Sequence, residues 1–256
     1  MQVEEQGSAP GAPGDSCGDL ARCRGALRDA LEELERARQH IALFAAQVSH
    51  DLRTPLTAVR ANAEMLAGEP TVAADSELAW MVAAIERGAR RMDVMIEQML
   101  TYAREGGRPA LSATPLGTVF EQAVQDLAPV IREKHARLTI GALPTVSADG
   151  GQLHAVALAL LSNALRFHQP DETPRVLVQA ARCGDHWRVS VSDNGIGVTP
   201  ERREAMFVLF AREDKRIEGH GVGLATAKRV VEAHGGRIGM EAGPDGGTTV
   251  WFDLPV

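Results

Sequence analysis

Several side chains in this sequence could act on phosphate. His50 stands in FAAQVSHDLRTPL, with an acid, Asp51, directly after it and Thr54 one helical turn further along. A neutral imidazole keeps a free ring nitrogen and can attack a phosphoryl group. A neighbouring carboxylate can hold the other ring nitrogen, orient the ring and stabilise the positive charge that develops. Asn163, in LLSNALRF, offers a carbonyl oxygen. That suits Mg²⁺, a hard cation that keeps phosphates and waters around it. Asp193 opens DNGIG after the strand-like WRVSVS, and a carboxylate at a strand end can accept a hydrogen bond from an exocyclic amine. Gly195 and Gly197 permit backbone angles and close approach that other residues forbid. GHGVGLA places Gly219, Gly221 and Gly223 at alternate positions ahead of an amphipathic helix. Backbone amides and a helix N-terminus there can hold phosphates. The segment lacks the G-K-S/T of a Walker A loop, and its GxGxG spacing is not the Rossmann fingerprint.

Each feature alone has an ordinary explanation. An exposed helical histidine is usually just solvated, and D-N-G is a common turn. The elements around them decide what they can do. Leu27, Leu31, Leu34, Ile41, Ala45, Val48 and Leu52 recur at alternating spacings of four and three, interrupted at Arg38. That is a heptad seam, and a dimeric coiled coil would cover it. The seam turns Val48 and Leu52 inward. His50 lies two residues from each, roughly 200° round the helix, and therefore faces out. The helix is expected to run past Pro55 with a kink and fade near Leu66. Residues 67–77 read as a loop. A second helix follows, with Leu78, Met81, Val82, Ile85, Ala89, Met92, Met95, Ile96, Met99 and Leu100 at 3–4 spacing. The methionines are core filler. Two long helices joined by a short loop make an antiparallel hairpin, and two hairpins make a four-helix dimer.

From about residue 113 the pattern changes. A helix over 116–134 precedes strands at 137–141 and 144–148, and a helix over 150–167. Strands at 174–182 and 186–193, a charged loop at 198–219, a helix over 222–235 and strands at 236–242 and 248–254 complete the chain. Mixed strands and helices without βαβ alternation suggest helices on one face of a mixed sheet. In the charged loop Phe207 and Phe210 read as hinge anchors. Arg212, Lys215 and Arg216 could reach phosphates or simply be solvated.

The bulk properties fit a soluble protein of one or two domains: 45% hydrophobic and 24% charged residues. A net charge of −7 argues against an electrostatic nucleic-acid binder. No apolar run of about 18 residues is present, so no transmembrane helix is expected. MQVEEQGSAPGAPGD does not read as a signal peptide, and residues 1–18 are expected to be disordered. Cys17, Cys23 and Cys183 are scattered and odd in number, without a CxxC pair, which suits a reducing cytoplasm. The other seven histidines have no metal-binding spacing and read as structural or surface residues.

HDLRTPL, LLSNALRF, DNGIG and GHGVGLA, in this order, resemble the motifs of sensor histidine kinases over roughly residues 20–254. FHQPDETPRVLV and AKRVVEAHGGRI look most like the phytochrome-type branch, and GPDGGTTVWFDLP resembles the family's final glycine box. The resemblance implies that His50 is the phosphoacceptor, Asp51 its base, and Thr54 the residue that positions water for dephosphorylating the partner. It implies that Asp193 takes the adenine amine, that Gly195, Gly197, Gly219, Gly221, Gly223 and Leu224 surround ATP, and that Asn163 meets Mg²⁺. Arg166 stands where the family often has Lys. Phe167 stands where it often has Tyr, and can still stack near the base. The family's helix usually carries another Asn four residues before Asn163. Here that position is Ala159, so one polar contact to metal or phosphate is missing.

The expected fold class is α+β: an antiparallel helical hairpin forming a dimeric four-helix bundle, followed by an α/β sandwich ATP-binding domain. The expected divisions are a tail at 1–18, a coiled-coil and phosphotransfer hairpin at 19–106, and an ATP-binding domain at 113–256. The implied activity is ATP-dependent histidine phosphorylation followed by transfer to an aspartate on a response-regulator receiver domain. The protein is expected to be a cytoplasmic homodimer that binds no nucleic acid and does not itself enter the membrane. A second reading is a non-enzymatic or phosphatase-dominant adaptor with a weakened nucleotide site, which Ala159 favours and the intact glycine motifs oppose. A third is another ATPase of the same fold, such as an anti-sigma serine kinase or a chaperone, which HDLRTPL opposes.

Overall fold

The computed structural model describes residues 16–104, 107–169, 171–211, 221–243 and 246–256. The described chain divides into two compact units between Ile41 and Ala42. In the first unit, helix α1 (Ser16–Ala67) begins. Its expected seam is open where side chains are described, with Leu27 and Ile41 both exposed. Leu31 and Leu34 lie outside the described side chains.

In the second unit, α1 continues through Pro55 without a break. A single turn, α2 (Pro70–Ala74), interrupts the expected loop, started by a proline whose missing N–H costs nothing at a helix N-terminus. Helix α3 (Ser76–Arg104) returns antiparallel. Ser49, Leu56 and Ala63, one heptad apart, are buried on α1, as are Val82, Ala89 and Ala103 on α3. Arg60 pairs with Asp93 at 3.3 Å and Arg53 with Glu97 at 3.7 Å across the hairpin. The inward pair expected from the seam is therefore offset. Ser49 is buried, Val48 is half-buried and Leu52 is 49% exposed. Small residues let the two helices approach, while the larger apolar stripe faces away from the hairpin's own contact.

The remaining elements form an α/β sandwich. Strands β1 (Ser112–Pro115) and β3 (Thr145–Ala148) make a small antiparallel sheet. The main sheet has the order β2 (Arg137–Ile140), β4 (Arg175–Cys183), β5 (His186–Asp193), β7 (Thr248–Pro255) and β6 (Arg237–Ala242). Only the β2–β4 pair is parallel. One face presents Val176, Val178, Val189, Val191, Val250, Phe252 and Leu254, all buried. Helices α4 (Leu116–Asp126), α6 (Gly150–Arg166) and α7 (Gly223–Ala233) supply Phe120, Leu161 and Val230 to that core. The helix expected over 116–134 breaks at Leu127, and α5 (Ala128–Glu133) begins anew. Pro129 has no N–H to bond backwards and its ring clashes with the preceding turn, so the first helix cannot continue.

Asp149 joins several elements. Its Oδ1 accepts from the N–H groups of Gly151 and Gln152 and so caps α6. Its Oδ2 accepts from Ala110 N–H at 3.0 Å, fastening the segment that leaves the hairpin. Its own N–H donates to Nε2 of His234, whose Nδ1 meets the Val230 carbonyl. His234 is thus a satisfied structural histidine. Burial opposes the charge on Asp149, but the three backbone donors outweigh it and hold the pKa below the ordinary aspartate value. The cap's contribution is fully present above the unfolded pKa of ~3.9 and is lost only as pH falls through the lower folded value. Asp149→Ala should cost about 1 kcal/mol of stability at neutral pH, read from the urea midpoint. An unchanged midpoint would refute the role.

Candidate functional site

A cavity of about 340 Å³ opens between α6, α7 and the end of β5. Its lining includes Ala159, Asn163, Arg166, Phe167, Asp193, Gly197, Gly221, Gly223 and Leu224. These are most of the residues singled out from sequence, gathered from segments far apart along the chain. Gly219, Arg212, Lys215 and Arg216 lie outside the described residues. Leu127, Val198, Met206 and Met240 add apolar wall that the motifs did not announce.

Asp193 ends β5. Its Oδ1 accepts from Gly195 N–H at 2.9 Å and from Thr248 N–H at 3.1 Å. Among the described residues no donor meets Oδ2, and the residue lines the cavity. Burial pushes its pKa up, and the two backbone donors only partly oppose that. Gly195 lies against the end of α6. A Cβ there would stand 2.2 Å from the Phe167 carbonyl oxygen, which accepts from Ile196 N–H at 2.9 Å. The turn is therefore locked to the C-cap of α6, and Phe167 is placed at the cavity wall by its own backbone. Asn194, 4% exposed, completes the lock. Its Nδ2 donates to Glu172 Oε2 and the Thr173 carbonyl, and its Oδ1 accepts from Arg175 N–H at 2.7 Å. It ties the start of β4 to the turn. Sequence reading missed it because its partners lie about twenty residues away and D-N-G alone signals only a turn.

The α7 N-terminus forms another wall. Gly221 has φ +68, and a Cβ would meet the Ala211 carbonyl oxygen at 2.4 Å. Phe210 N–H donates to the Gly221 carbonyl at 2.8 Å, which ties the segment after β5 to the start of α7. The first N–H groups of α7 have no partner within the helix, and together with its dipole they favour an anion here. Ala159 and Gly223 meet where α6 packs on α7, and both line the cavity. A Cβ on Gly223 would touch the Ala159 Cβ at 3.5 Å. Asn163 is the one residue of this α6 wall whose side chain offers a carboxamide oxygen to a cation. Arg166 reaches Ser162 Oγ at 3.4 Å.

His50 stands apart on α1. Its side chain is 79% exposed, and Nδ1 lies 3.2 Å from Asp51 Oδ1. With the proton on Nδ1, Nε2 carries a free lone pair toward solvent. Gln47 Nε2 donates to both oxygens of Asp51, at 3.0 and 3.1 Å. That amide, followed by His50, holds the Asp51 carboxyl below its usual pKa. Thr54 Oγ1 donates to the His50 carbonyl at 3.3 Å.

Residues 40–108 match the His Kinase A (phospho-acceptor) domain, and residues 148–256 match the histidine kinase-, DNA gyrase B-, and HSP90-like ATPase family. The phytochrome-like protein Cph1 of Synechocystis sp. is 34% identical over 233 residues, which is 90% of this chain and 31% of that protein. The methanogenesis regulatory histidine kinase FilI of Methanothrix harundinacea is 30% identical over 240 residues, 93% of this chain and 27% of that protein. Full-length ShkA, crystallised in complex with AMPPNP, aligns with TM-score 0.62 and 29% identity, over 84% of this chain and 46% of that one. The chain spans about a third of the length of these curated relatives. Both domain models are met in order, and the chain has the catalytic core of a sensor histidine kinase: a phospho-acceptor hairpin followed by an ATPase domain.

Proposed function

We propose that this chain is a histidine kinase core that binds ATP in the cavity beside Asp193, phosphorylates His50 and passes the phosphoryl group to an aspartate of a receiver domain. The observation that carries it is the pairing, in one chain, of an exposed imidazole held by Asp51 with a cavity lined by the Asp193 carboxylate, whose Oδ2 meets no donor among the described residues, and by a helix N-terminus. In this reading Asp193 Oδ2 accepts from the adenine amine, and Phe167 and the apolar wall flank the base. The backbone of Gly221, Gly223 and Leu224 holds phosphate. The resemblance adds Arg166, which lines the cavity, to the residues around ATP. Asn163 would hold Mg²⁺ by its side-chain oxygen. Among the described residues no group of three His, Cys, Asp or Glu gathers, so the nucleotide would complete the metal's shell. The ion would supply neutralisation of phosphate charge.

At His50 the ring attacks the γ-phosphorus of ATP in line through Nε2, and the bond to the bridging oxygen breaks so that ADP leaves as the N–P bond forms. Asp51 accepts from Nδ1–H, offsets the growing positive charge and keeps the ring in one tautomer. Thr54, on the same stretch of helix, would orient water when the partner's acyl phosphate is hydrolysed. None of the described helices is long and apolar enough to cross a membrane. The adaptor reading rests on Ala159 alone, and an open cavity with Asp193 in place favours the kinase. Ala159→Asn should add a polar contact to metal or phosphate and lower the ATP KM or raise turnover roughly threefold to tenfold. A filter assay of His50 labelling against ATP concentration measures this, and no gain would show that the site already compensates.

The dimer follows from what the hairpin leaves uncovered. Leu52, Val59 and Leu66 on α1, and Leu78, Ile85, Met92 and Met99 on α3, are each 43% exposed or more and each recur one heptad apart. A second copy presenting the same stripe would bury both in a four-helix bundle. Light scattering should give twice the chain mass at micromolar concentration, and a stable monomer there would overturn this assembly. Mg-ATP labelling of the wild-type chain tests the kinase reading itself, as argued in the Discussion.

A further inference from the structure

Helix geometry alone does not bring Asp51 to His50. Consecutive residues point about 100° apart round an α-helix and do not face each other, whereas residues three and four apart do. The Asp51 carboxylate nevertheless lies 3.2 Å from His50 Nδ1. Gln47 accounts for the difference. It stands four residues before Asp51 and three before His50, so all three side chains share one stretch of the α1 surface. Side chains on a helix lean toward its N-terminus, which carries the Asp51 carboxylate back over the turn that Gln47 occupies. There Gln47 Nε2 donates to both carboxylate oxygens, at 3.0 and 3.1 Å. Oδ1 is shared, accepting from Gln47 and His50 together. Among the described residues no other side chain bonds to this carboxylate.

The tether has a consequence at the ring. An ionised carboxylate only accepts, so the Nδ1 beside it must carry the proton, and Nε2 keeps its lone pair. A free imidazole side chain prefers the opposite tautomer, with the proton on Nε2 and no lone pair there for attack. His50 and Asp51 are both well exposed, so water competes for each contact, and a carboxylate left to itself would turn away from the ring. We infer that Gln47 is a positioning residue for the phosphoacceptor: by holding the Asp51 carboxylate against Nδ1, it keeps His50 in the tautomer whose Nε2 is open to phosphate. Gln47 is itself exposed and takes no part in the buried stripe of α1, so its side chain is spared for this contact. The same amide is the leading reason why the Asp51 carboxyl lies below its usual range, and the group that orients the ring therefore stays ionised. Only the kinetic consequence rests on the proposed role of His50, because the tautomer can be read without any reaction.

The test uses the full chain with nitrogen-15 in its histidine rings, the His50 signals being those missing from His50→Gln. At mildly alkaline pH the ring is neutral, and ring nitrogen–proton correlations should show the Nδ1–H tautomer dominant at His50. Gln47→Leu keeps a good helix former at an exposed position but removes the donor, and it should shift His50 toward the Nε2–H form. Gln47→Arg restores a donor one turn from the carboxylate and should keep the wild-type tautomer. With Mg-ATP, His50 labelling in Gln47→Leu should fall about threefold to tenfold, a share of the hundredfold or more that general-base assistance is worth. The ATP KM should be unchanged, because Gln47 does not line the cavity, and Gln47→Arg should label close to the wild-type rate. An unchanged tautomer in Gln47→Leu overturns the tether. So does undiminished labelling of that variant, or a Gln47→Arg chain as slow as Gln47→Leu. A wild-type chain that shows the Nδ1–H tautomer but takes no label would instead sink the kinase reading, and the spectra of the variants would still decide the tether.

Discussion

Replacing His50 by glutamine should abolish phosphorylation of the chain. Wild-type protein with Mg-ATP should gain an acid-labile, base-stable phosphate, the signature of a phosphoramidate. Glutamine keeps the polarity and rough length of the side chain but has no nucleophilic nitrogen. His50 is not part of the cavity lining, so nucleotide binding should be unchanged in His50→Gln. Nor is the side chain part of the hairpin's buried stripe, being 79% exposed, so folding should be unchanged too. Asp51→Asn should slow labelling by about a hundredfold or more without abolishing it, since general-base assistance is worth that order. Full labelling of His50→Gln would place the acceptor elsewhere. Lost nucleotide binding in the same variant would show that the hairpin and cavity are more closely joined than their separate surroundings indicate.

Much of the machinery is legible in the residues because it is local. HDLRTPL fixes an imidazole, a carboxylate and a hydroxyl within two helical turns, and helix geometry alone sets their spacing. DNGIG and the glycines before α7 are backbone requirements, and Gly195 and Gly221 meet walls that leave no space for a Cβ. What sequence could not fix are choices between equal alternatives and contacts between distant segments. Periodicity shows that α1 has apolar stripes. It does not say which stripe meets α3, and the smaller Ser49 and Ala63 took that place while Leu52 stayed outside. The break at Leu127 depended on one proline in an otherwise helical pattern. Strand β1 is four residues long and pairs with a segment thirty or more residues away. Asp149 and Asn194 each collect donors or acceptors from two or three separate elements, and no local pattern announces such a role.

Asp193→Asn should lose ATP while gaining stability, and the two effects have one origin. The carboxylate is held where burial raises its pKa above the ordinary value, despite N–H donors from Gly195 and Thr248. A raised pKa in the folded state means that the fold binds this proton more tightly than the unfolded chain does. Stability contributed by the group is therefore greatest at low pH and declines as pH rises through the unfolded and then the folded pKa, so at neutral pH the ionised group costs stability. Asparagine removes that charge. Its own Oδ1 can still accept from Gly195 and Thr248, so the turn keeps its shape. The thermal midpoint without nucleotide should stay level or rise. At the other end of the side chain, an amide N–H₂ now stands where a carboxylate oxygen would accept from the adenine amine. Donor faces donor at a half-buried position, and a charge-assisted hydrogen bond worth about 1.5–3 kcal/mol is gone. ATP affinity should fall about a hundredfold, and the rise in midpoint that ATP gives the wild type should disappear. In the wild type the same logic gives a pH dependence: affinity should fall on acidification at a higher pH than a free aspartate would impose, as protonation removes the acceptor. Calorimetric titration with ATP, together with melting curves with and without it, reads both effects. Undiminished affinity would remove Asp193 from the base-binding site. A lower midpoint without nucleotide would mean that the ionised carboxylate holds the turn together, contrary to the burial cost argued here.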